Sequence, residues 1–421
     1  MPPRAGRSGS TAVSGTRSSD STGASTSERK GASSRKIPGM NQPWHDHGGS
    51  ARDRGAHNRI VTPVTRADLE SIPTYVPGRS YPGAIKLASN ETTQGPLPGV
   101  AQAIADAASV ANRYPDNTSA ALIRALSESL GVPAENIATG CGSVALCQEL
   151  VQATCNEGDE VVYAWRSFEA YPVVTKVAGA VSVPVPLTPE HGHDLDAMLA
   201  AITDRTRLIF VCNPNNPTGT ALGREELERF LDAVPARVVV ALDEAYFEYN
   251  RSGVDGIDLA RTRRNVVVLR TFSKAYGLAA LRVGYAVADP TIIAALAKVH
   301  ITFSVNAVAQ SAAIACLGAR DELLHRTHDV VAERDRVRDA LRAAGYDVPE
   351  SQANFVWLPL ADRSAAYGEA SAEAGVLIRP YGVDGVRITI GDPHENDAFL
   401  AFATSPAAQE LAGIPAGSPT V

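Results

Sequence analysis

Three times in this chain a short run of apolar, largely β-branched residues stops abruptly at a cluster of polar ones. "LIFVC" runs into "NPNNPTG" at Asn213, "VVVAL" into "DEAY" at Asp243, and "VVVL" into "RTFSK" at Arg270. A fourth apolar stretch, "DEVVYAW", has the same texture, and the runs alternate with helical patterns such as "SAALIRALSESLG" and "REELERFLDAV". Strands apolar on both faces, separated by helices, define an α/β fold with a mostly parallel sheet covered on both sides. In such sheets ligands bind outside the carboxyl ends of the strands. The polar clusters stand where a site is expected.

The lysine in the third cluster is unusual for its context. The chain has 39 basic residues, of which only six are lysine, at 30, 36, 86, 176, 274 and 298. A solvated surface cation here could as well be arginine. Lysine offers an amine that loses its proton when desolvated and attacks a carbonyl. Each of the other clusters is suggestive in its own way. Gly140-Cys141-Gly142-Ser143 opens a helix, where backbone N–H groups and a close approach at glycine suit an anion. Asn213–Gly219 holds two prolines, three asparagines and a glycine, a rigid polar bend rich in amides. Asp243 ends a strand expected to be buried, so its carboxylate needs a partner, and Tyr246 follows within reach. Ser273 and Arg282 are phosphate-binding types beside Lys274. Together these groups describe a pyridoxal phosphate site: an anion cradle, a buried acid, a phenol, an amide and a lysine that holds the cofactor covalently.

The combination "NPNNPTG", "DEAY" and "SKAYGLAALRVGY", in that order, resembles the fold-type I, class II pyridoxal-phosphate aminotransferases of the histidinol-phosphate aminotransferase group. The likeness spans roughly 64–403. The stretches "KLASNETTQGPLP", "RYPDN", "GCGSVALCQELVQ", "SQANFVWLPL" and "IRPYGVDGVRITIG" are similar to the aromatic amino acid (phenylalanine) aminotransferases within that group. Histidinol-phosphate enzymes usually carry an Asn-Glu-Asn-Pro-Tyr-Gly type segment; here Asn90–Gly95 reads Asn-Glu-Thr-Thr-Gln-Gly. Ala280 stands where a glycine is usual, and Phe168 where many relatives have tyrosine.

The resemblance implies a large domain with a seven-stranded, mostly parallel sheet flanked by helices, plus a smaller α+β domain. It implies pyridoxal 5'-phosphate as cofactor, held by Lys274, which also moves the proton at the reacting carbon. Asp243 would pair with the ring N–H, Tyr246 and Asn216 with the ring oxygen, and Phe168 would stack on the ring. Cys141 and Gly142 would give backbone N–H bonds to the phosphate, helped by Ser273 and Arg282. Tyr114 would reach the phosphate from a neighbouring subunit of a homodimer. Arg387 would bind the substrate carboxylate with help from Asn354, and Asn90 would line the side-chain pocket. Arg379 either faces a substrate phosphate or structures its loop. The implied reaction passes nitrogen from an aromatic amino acid to 2-oxoglutarate. Histidinol phosphate as substrate, and a decarboxylase or lyase on the same scaffold, are the enzymatic alternatives. A transcription regulator would need a helix-turn-helix module, for which residues 1–59 show no periodicity.

The remaining features set bounds. At 421 residues two domains are the default. A net charge of −7 carries no nucleic-acid signature, and no apolar run suits a membrane span. Five cysteines without a C-x-x-C pair read as reduced, which suits a cytoplasmic protein. Residues 1–59 are Ser/Gly-rich, with ten Lys/Arg against four Asp/Glu, and read as a disordered basic leader in which Met40 is one candidate start. The expected divisions are 60–96 as an N-terminal arm with part of the small domain, 97–295 as the cofactor domain, 296–404 as the small domain and 405–421 as a flexible tail.

Overall fold

Alternation along each apolar strand decides the layering. The computed structural model describes residues 65–72, 74 and 81–415, all within a unit spanning Val64–Val421. The leader 1–59 lies outside the described residues. The strands are β1 (Ile85–Lys86), β2 (Ile137–Gly140), β3 (Glu160–Trp165), β4 (Val181–Pro186), β5 (Thr206–Cys212), β6 (Val239–Asp243), β7 (Val266–Thr271), β8 (Gly284–Val287), β9 (Phe355–Leu358), β10 (Val376–Leu377), β11 (Arg379–Tyr381) and β12 (Gly385–Thr389). Seven of them form one sheet in the order β2-β8-β7-β6-β5-β3-β4, in which only β8 runs antiparallel to its neighbours. This is the mostly parallel α/β sheet expected.

Successive residues of these strands face opposite layers. Val161, Tyr163, Leu208, Phe210, Ala241, Val267 and Leu269 pack on one side against helices Ser143–Thr154 and Ala170–Val177. Val162, Ala164, Ile209, Val211, Val240, Leu242 and Val266 pack on the other against Leu195–Ala200 and Arg224–Ala233. Helices Val100–Ala108, Ala120–Leu130 and Ala307–Leu317 close a further apolar cluster with Val268, Phe272 and Tyr285. Helix Ala307–Leu317 lies past the boundary drawn at 295, yet it packs with the large sheet.

A second core gathers around the antiparallel sheet β11-β12-β9. Val356, Leu358, Val386 and Ile388 point into it, with Leu87, Val337, Leu341 and Phe399. The opposite face of the same strands carries Arg379, Arg387 and Trp357 in register, flanked by Phe355 and Thr389. One face is core and the other carries chemistry, as the period of two requires. The stretch "GVLIRPY" holds two strands: Val376–Leu377 pairs with β1 and Arg379–Tyr381 with β12.

The segment read as a flexible tail holds a helix, Pro406–Ala412. Ser405 caps it, proline fills its first turn, Gly413 closes it at φ 76, and Ala408 and Ala412 are buried. Its Pro/Ala/Gly composition suits a loose end, but alanine is the best helix former and small enough to pack closely. Among the described residues no helix is long and apolar enough to cross a membrane.

Two glycines let the sheet edge meet the helix that begins at Ser143. Gly140 and Gly284 are partners in β2 and β8. A Cβ on Gly284 would sit 2.6 Å from the Ser143 nitrogen and 2.9 Å from the Arg270 carbonyl oxygen, both backbone atoms that cannot give way. Gly284→Ala should destabilise the protein by roughly 1–3 kcal/mol, the cost of overpacking. Thermal unfolding of the purified variant checks this, and an unchanged Tm would contradict the packing described.

Candidate active site

The loops that follow the parallel strands open at one edge of the sheet. β5 ends at Cys212 before the Asn213–Gly219 bend, β6 at Asp243, β7 at Thr271 before Lys274, and β2 at Gly140 before the helix at Ser143. Because these strands run the same way, chain segments far apart in sequence present their polar residues together.

Asp243 is 2% exposed. Its Oδ2 accepts a hydrogen bond from the Tyr171 hydroxyl at 2.8 Å, while its Oδ1 has no partner. Burial pushes the carboxyl up to about 6, against the lowering pull of the Tyr171 hydrogen bond, the Ala245 backbone and the Lys274 charge. A buried carboxylate oxygen without a donor is rare in native proteins. It marks a place for an N–H group that the chain does not itself supply.

Lys274 Nζ donates a long hydrogen bond, 3.4 Å, to the Ser89 carbonyl and lies 5.9 Å from the centre of the Tyr246 ring. Burial is the main cause lowering its amine to about 8, and the positive charges of Arg387 and Arg282 add to it; Glu91 and Asp243 pull the other way. The Tyr246 hydroxyl accepts from Asn90 Nδ2 at 2.8 Å, which leaves its own hydrogen to donate. Asn90 is buried at φ 54; its N–H donates to Thr389 Oγ1 at 2.9 Å, and its Oδ1 accepts from that hydroxyl at 3.0 Å. Both ends of the Asn90 amide are thus engaged within the protein. Asn354 Nδ2 donates to the Asn90 carbonyl at 3.4 Å, and its Oδ1 has no partner.

The anion cradle is built around a glycine. Gly142 takes φ 76, and a Cβ there would fall 2.4 Å from Arg282 Nη2. The first N–H groups of helix Ser143–Thr154 have no acceptor inside the helix. Arg282, itself at φ 59, donates to Ser273 Oγ at 3.1 Å and to the Ala279 carbonyl at 2.9 Å. The Gly142 N–H donates to the Gly140 carbonyl at 2.7 Å, so that donor is occupied in the turn; Cys141 and the helix start at Ser143 flank it.

Arg387 is 6% exposed and held by neutral acceptors: Asn216 Oδ1 at 2.6 Å, the Tyr381 hydroxyl at 2.6 Å and the Ala88 carbonyl at 2.7 Å. Its Nε has no acceptor. Its guanidinium lies 5.4 Å from the ring centres of both Phe355 and Tyr381. Among the described residues no carboxylate pairs with it. A buried cation without an acid is a receptor for an anion. Arg379 differs: it is partly exposed and ion-paired with Glu169 at 3.3 Å. Phe168 meets Tyr171 edge-on, their centroids 5.5 Å apart. Tyr114 does not join this group within the chain. Its ring is 82% exposed and stacks on Phe303 at 4.7 Å.

Three contributors escaped the sequence reading. Tyr381 sits in "IRPYG", two residues past Arg379; the register sets it opposite Gly385, two residues before Arg387, so its hydroxyl reaches Arg387 diagonally on the same sheet face. Thr389 occupies the same sheet face. Tyr171 lies one helical turn beyond Phe168, but nothing in the order of residues ties it to Asp243, 72 positions later.

The profile of the family "Aminotransferase class I and II" matches residues 82–402. The aromatic amino acid aminotransferase of Rhodococcus jostii (strain RHA1) is 77% identical over 354 residues, covering 84% of this chain and 99% of that relative. The enzyme of the same name from Nocardia farcinica (strain IFM 10152) is 68% identical, covering 81% of this chain and 97% of its own length. Among solved structures, the histidinol-phosphate aminotransferase of Sinorhizobium meliloti, in complex with pyridoxal-5'-phosphate, superposes with a TM-score of 0.74 at 29% identity, covering 85% of this chain and 99% of the other. This chain belongs to the class I and II aminotransferases. Its residues fit the cofactor: an open oxygen on a buried acid, a desolvated amine, and a cradle of helix start, Ser273 and Arg282.

A lowered lysine is an unprotonated nucleophile at milder pH. The rate of aldehyde addition at Lys274, trapped by borohydride and mapped by peptide mass, should rise with pH to a midpoint near 8. An ordinary lysine has its midpoint at ~10.4. A midpoint at the ordinary value would show that Lys274 is not desolvated.

Proposed function

We propose that this protein transfers the amino group of an aromatic amino acid to 2-oxoglutarate, using pyridoxal 5'-phosphate, as a homodimer. The observation that carries the reading is the acid-free guanidinium of Arg387, buried and anchored through Asn216 and Tyr381 in the same site as a lysine whose amine is lowered to about 8. Amino acids and 2-oxo acids share one anionic group, the α-carboxylate, and both half-reactions need it held in the same place.

When bound, the cofactor supplies the aldehyde that takes up the amino group and an electron-withdrawing ring. The chain supplies the rest. Arg387 binds the carboxylate in a bidentate pair and so fixes the direction of the Cα–H bond. Lys274 holds the cofactor at rest; once released, its amine takes the Cα proton and returns it across the reacting system as a general acid. Asp243 Oδ1 would accept the ring N–H, Asn216 Nδ2 and the Tyr246 hydroxyl would donate to the ring oxygen, and Phe168 would cover one ring face. Ser273, Arg282, Cys141 and the helix start at Ser143 would take the phosphate.

One feature favours an aromatic substrate over histidinol phosphate: Arg379, the cation that could meet a substrate phosphate, is already ion-paired with Glu169 at 3.3 Å. The Rhodococcus jostii and Nocardia farcinica relatives, both aromatic amino acid aminotransferases, agree. For the homodimer, the support is exposed apolar surface: Tyr114 and Phe303 stack on each other at 4.7 Å while both are exposed, as are Val110 and Ile301, and contiguous apolar patches mark interaction sites. A second copy would cover them and bring Tyr114 to the partner's phosphate.

With 2-oxoglutarate as acceptor, kcat/KM for phenylalanine, tyrosine or tryptophan should exceed that for histidinol phosphate by at least about tenfold, or ~1.4 kcal/mol. Preference for histidinol phosphate would overturn the substrate assignment. Lys274→Ala should bind cofactor without covalent attachment and should not turn over. Arg387→Ala should lower kcat/KM for both the amino acid and the oxo acid by roughly 2–5 kcal/mol, the cost of removing one partner of a buried charge pair. Sedimentation should show a dimer, and a fully active monomer would remove any role for Tyr114 across subunits.

A further inference from the structure

We propose that Tyr171 is a positioning residue for the reaction: its hydroxyl holds Oδ2 of Asp243, keeps that carboxylate ionised, and leaves Oδ1 to accept the N–H of the cofactor ring. The inference rests on the cofactor reading above and deepens it.

The geometry has three parts. The hydroxyl donates to Oδ2 at 2.8 Å, and the remaining oxygen of the same carboxylate is unpartnered. Both side chains are buried, Tyr171 completely and Asp243 to 2% exposure. The phenol is also locked in direction. Its ring stacks on Phe210 at 4.4 Å with 5° between planes, and meets Phe168 edge-on at 5.5 Å and Tyr163 at 5.9 Å. Phe210 belongs to β5, the strand beside that of Asp243, so the donor and the acid are fixed to one rigid sheet. A single turn of chain, Phe168 to Tyr171, thereby supplies both the side chain that would cover the cofactor ring and the donor that holds the acid.

The chemical reason is competition for one proton. A buried carboxylate and a ring nitrogen in contact share a proton, and it resides on the stronger base. Burial by itself makes Asp243 a stronger base. A hydrogen bond donated to the charged form makes it a weaker one. Tyr171 is suited to this because burial, and the nearby charge of Asp243, push its own ionisation well above the usual range, so it remains a neutral donor. The neighbouring Cys147 and Cys212 thiols are likewise pushed up by burial and stay neutral. The proton is therefore left on the ring nitrogen, where it strengthens electron withdrawal.

The test uses the holoenzyme loaded with 15N-ring-labelled pyridoxal 5'-phosphate. In wild type the ring nitrogen should resonate as protonated. In Tyr171→Phe, which removes one oxygen and keeps the ring stack, the resonance should move toward neutral pyridine. In the same variant kcat should fall roughly ten- to hundredfold, the scale of one hydrogen bond to a charged group, with the amino acid KM within about twofold. Tyr171→Leu, which also removes the ring, should show the same nitrogen shift. A shift in the leucine variant alone would assign Tyr171 to packing against Phe210 and overturn the proposal, as would an unchanged resonance in both. Failure of the wild-type chain to take up the cofactor would instead sink the cofactor reading itself.

Discussion

An ionised group costs several kcal/mol to bury unless something compensates it, and this chain gathers three at one edge of its sheet, two of them buried and the lysine part-buried. Asp243, Lys274 and Arg387 share the site without ion-pairing to one another among the described contacts. Each is partly compensated by neutral dipoles: a phenol for the acid, a carbonyl for the amine, an amide, a phenol and a carbonyl for the guanidinium. Hydrogen bonding is satisfied well enough for the fold to persist, while charge is not neutralised. Arg282 adds to the positive surplus, so the site is electrostatically complementary to ligands that bring a phosphate and a carboxylate.

Contrast with the acid next in sequence shows how deliberate this is. Glu244 is as buried as Asp243, but both its oxygens are closed: Oε2 accepts from Arg270 Nη2 and Nε at 2.7 and 2.9 Å, and Oε1 accepts from the Gly256 N–H at 2.8 Å. Arg270 in turn lies 3.4 Å over the Phe247 ring and reaches Asp255 at 2.7 Å. Adjacent carboxylates alternate in direction along the chain, so one faces a saturated structural network and the other the open site. The saturated network braces β6 against β7 and steadies the strand end that carries Asp243.

The two sheets contribute differently. The large one brings loops together because its strands are parallel and its helices cover both faces. The small one works by alternation: Val386 and Ile388 anchor β12 in the core while Arg387 and Thr389 project to the site. Thr389 then locks Asn90, and Asn90 orients Tyr246. Residues from the first described strand region, the large sheet and the small sheet thus meet in one continuous set of hydrogen bonds.

Much of this was legible before folding was considered. Runs of β-branched residues ending in polar clusters identify buried parallel strands and the edge where chemistry collects, and one of only six lysines in an arginine-rich chain points to its amine. These are local properties, decided by backbone sterics, burial and the pKa of side chains, and they sit in contiguous stretches. What remained hidden is non-local. That Tyr171 reaches Asp243, that Tyr381 and Asn216 grip Arg387, that helix Ala307–Leu317 packs with the large sheet, and that the alanine-rich end folds into a helix all depend on surfaces assembled from distant segments. The order of residues determined which groups this protein has and on which elements they lie. Only tertiary packing decided which of those groups face each other, because hydrogen bonds and burial act through space and take no account of separation along the chain.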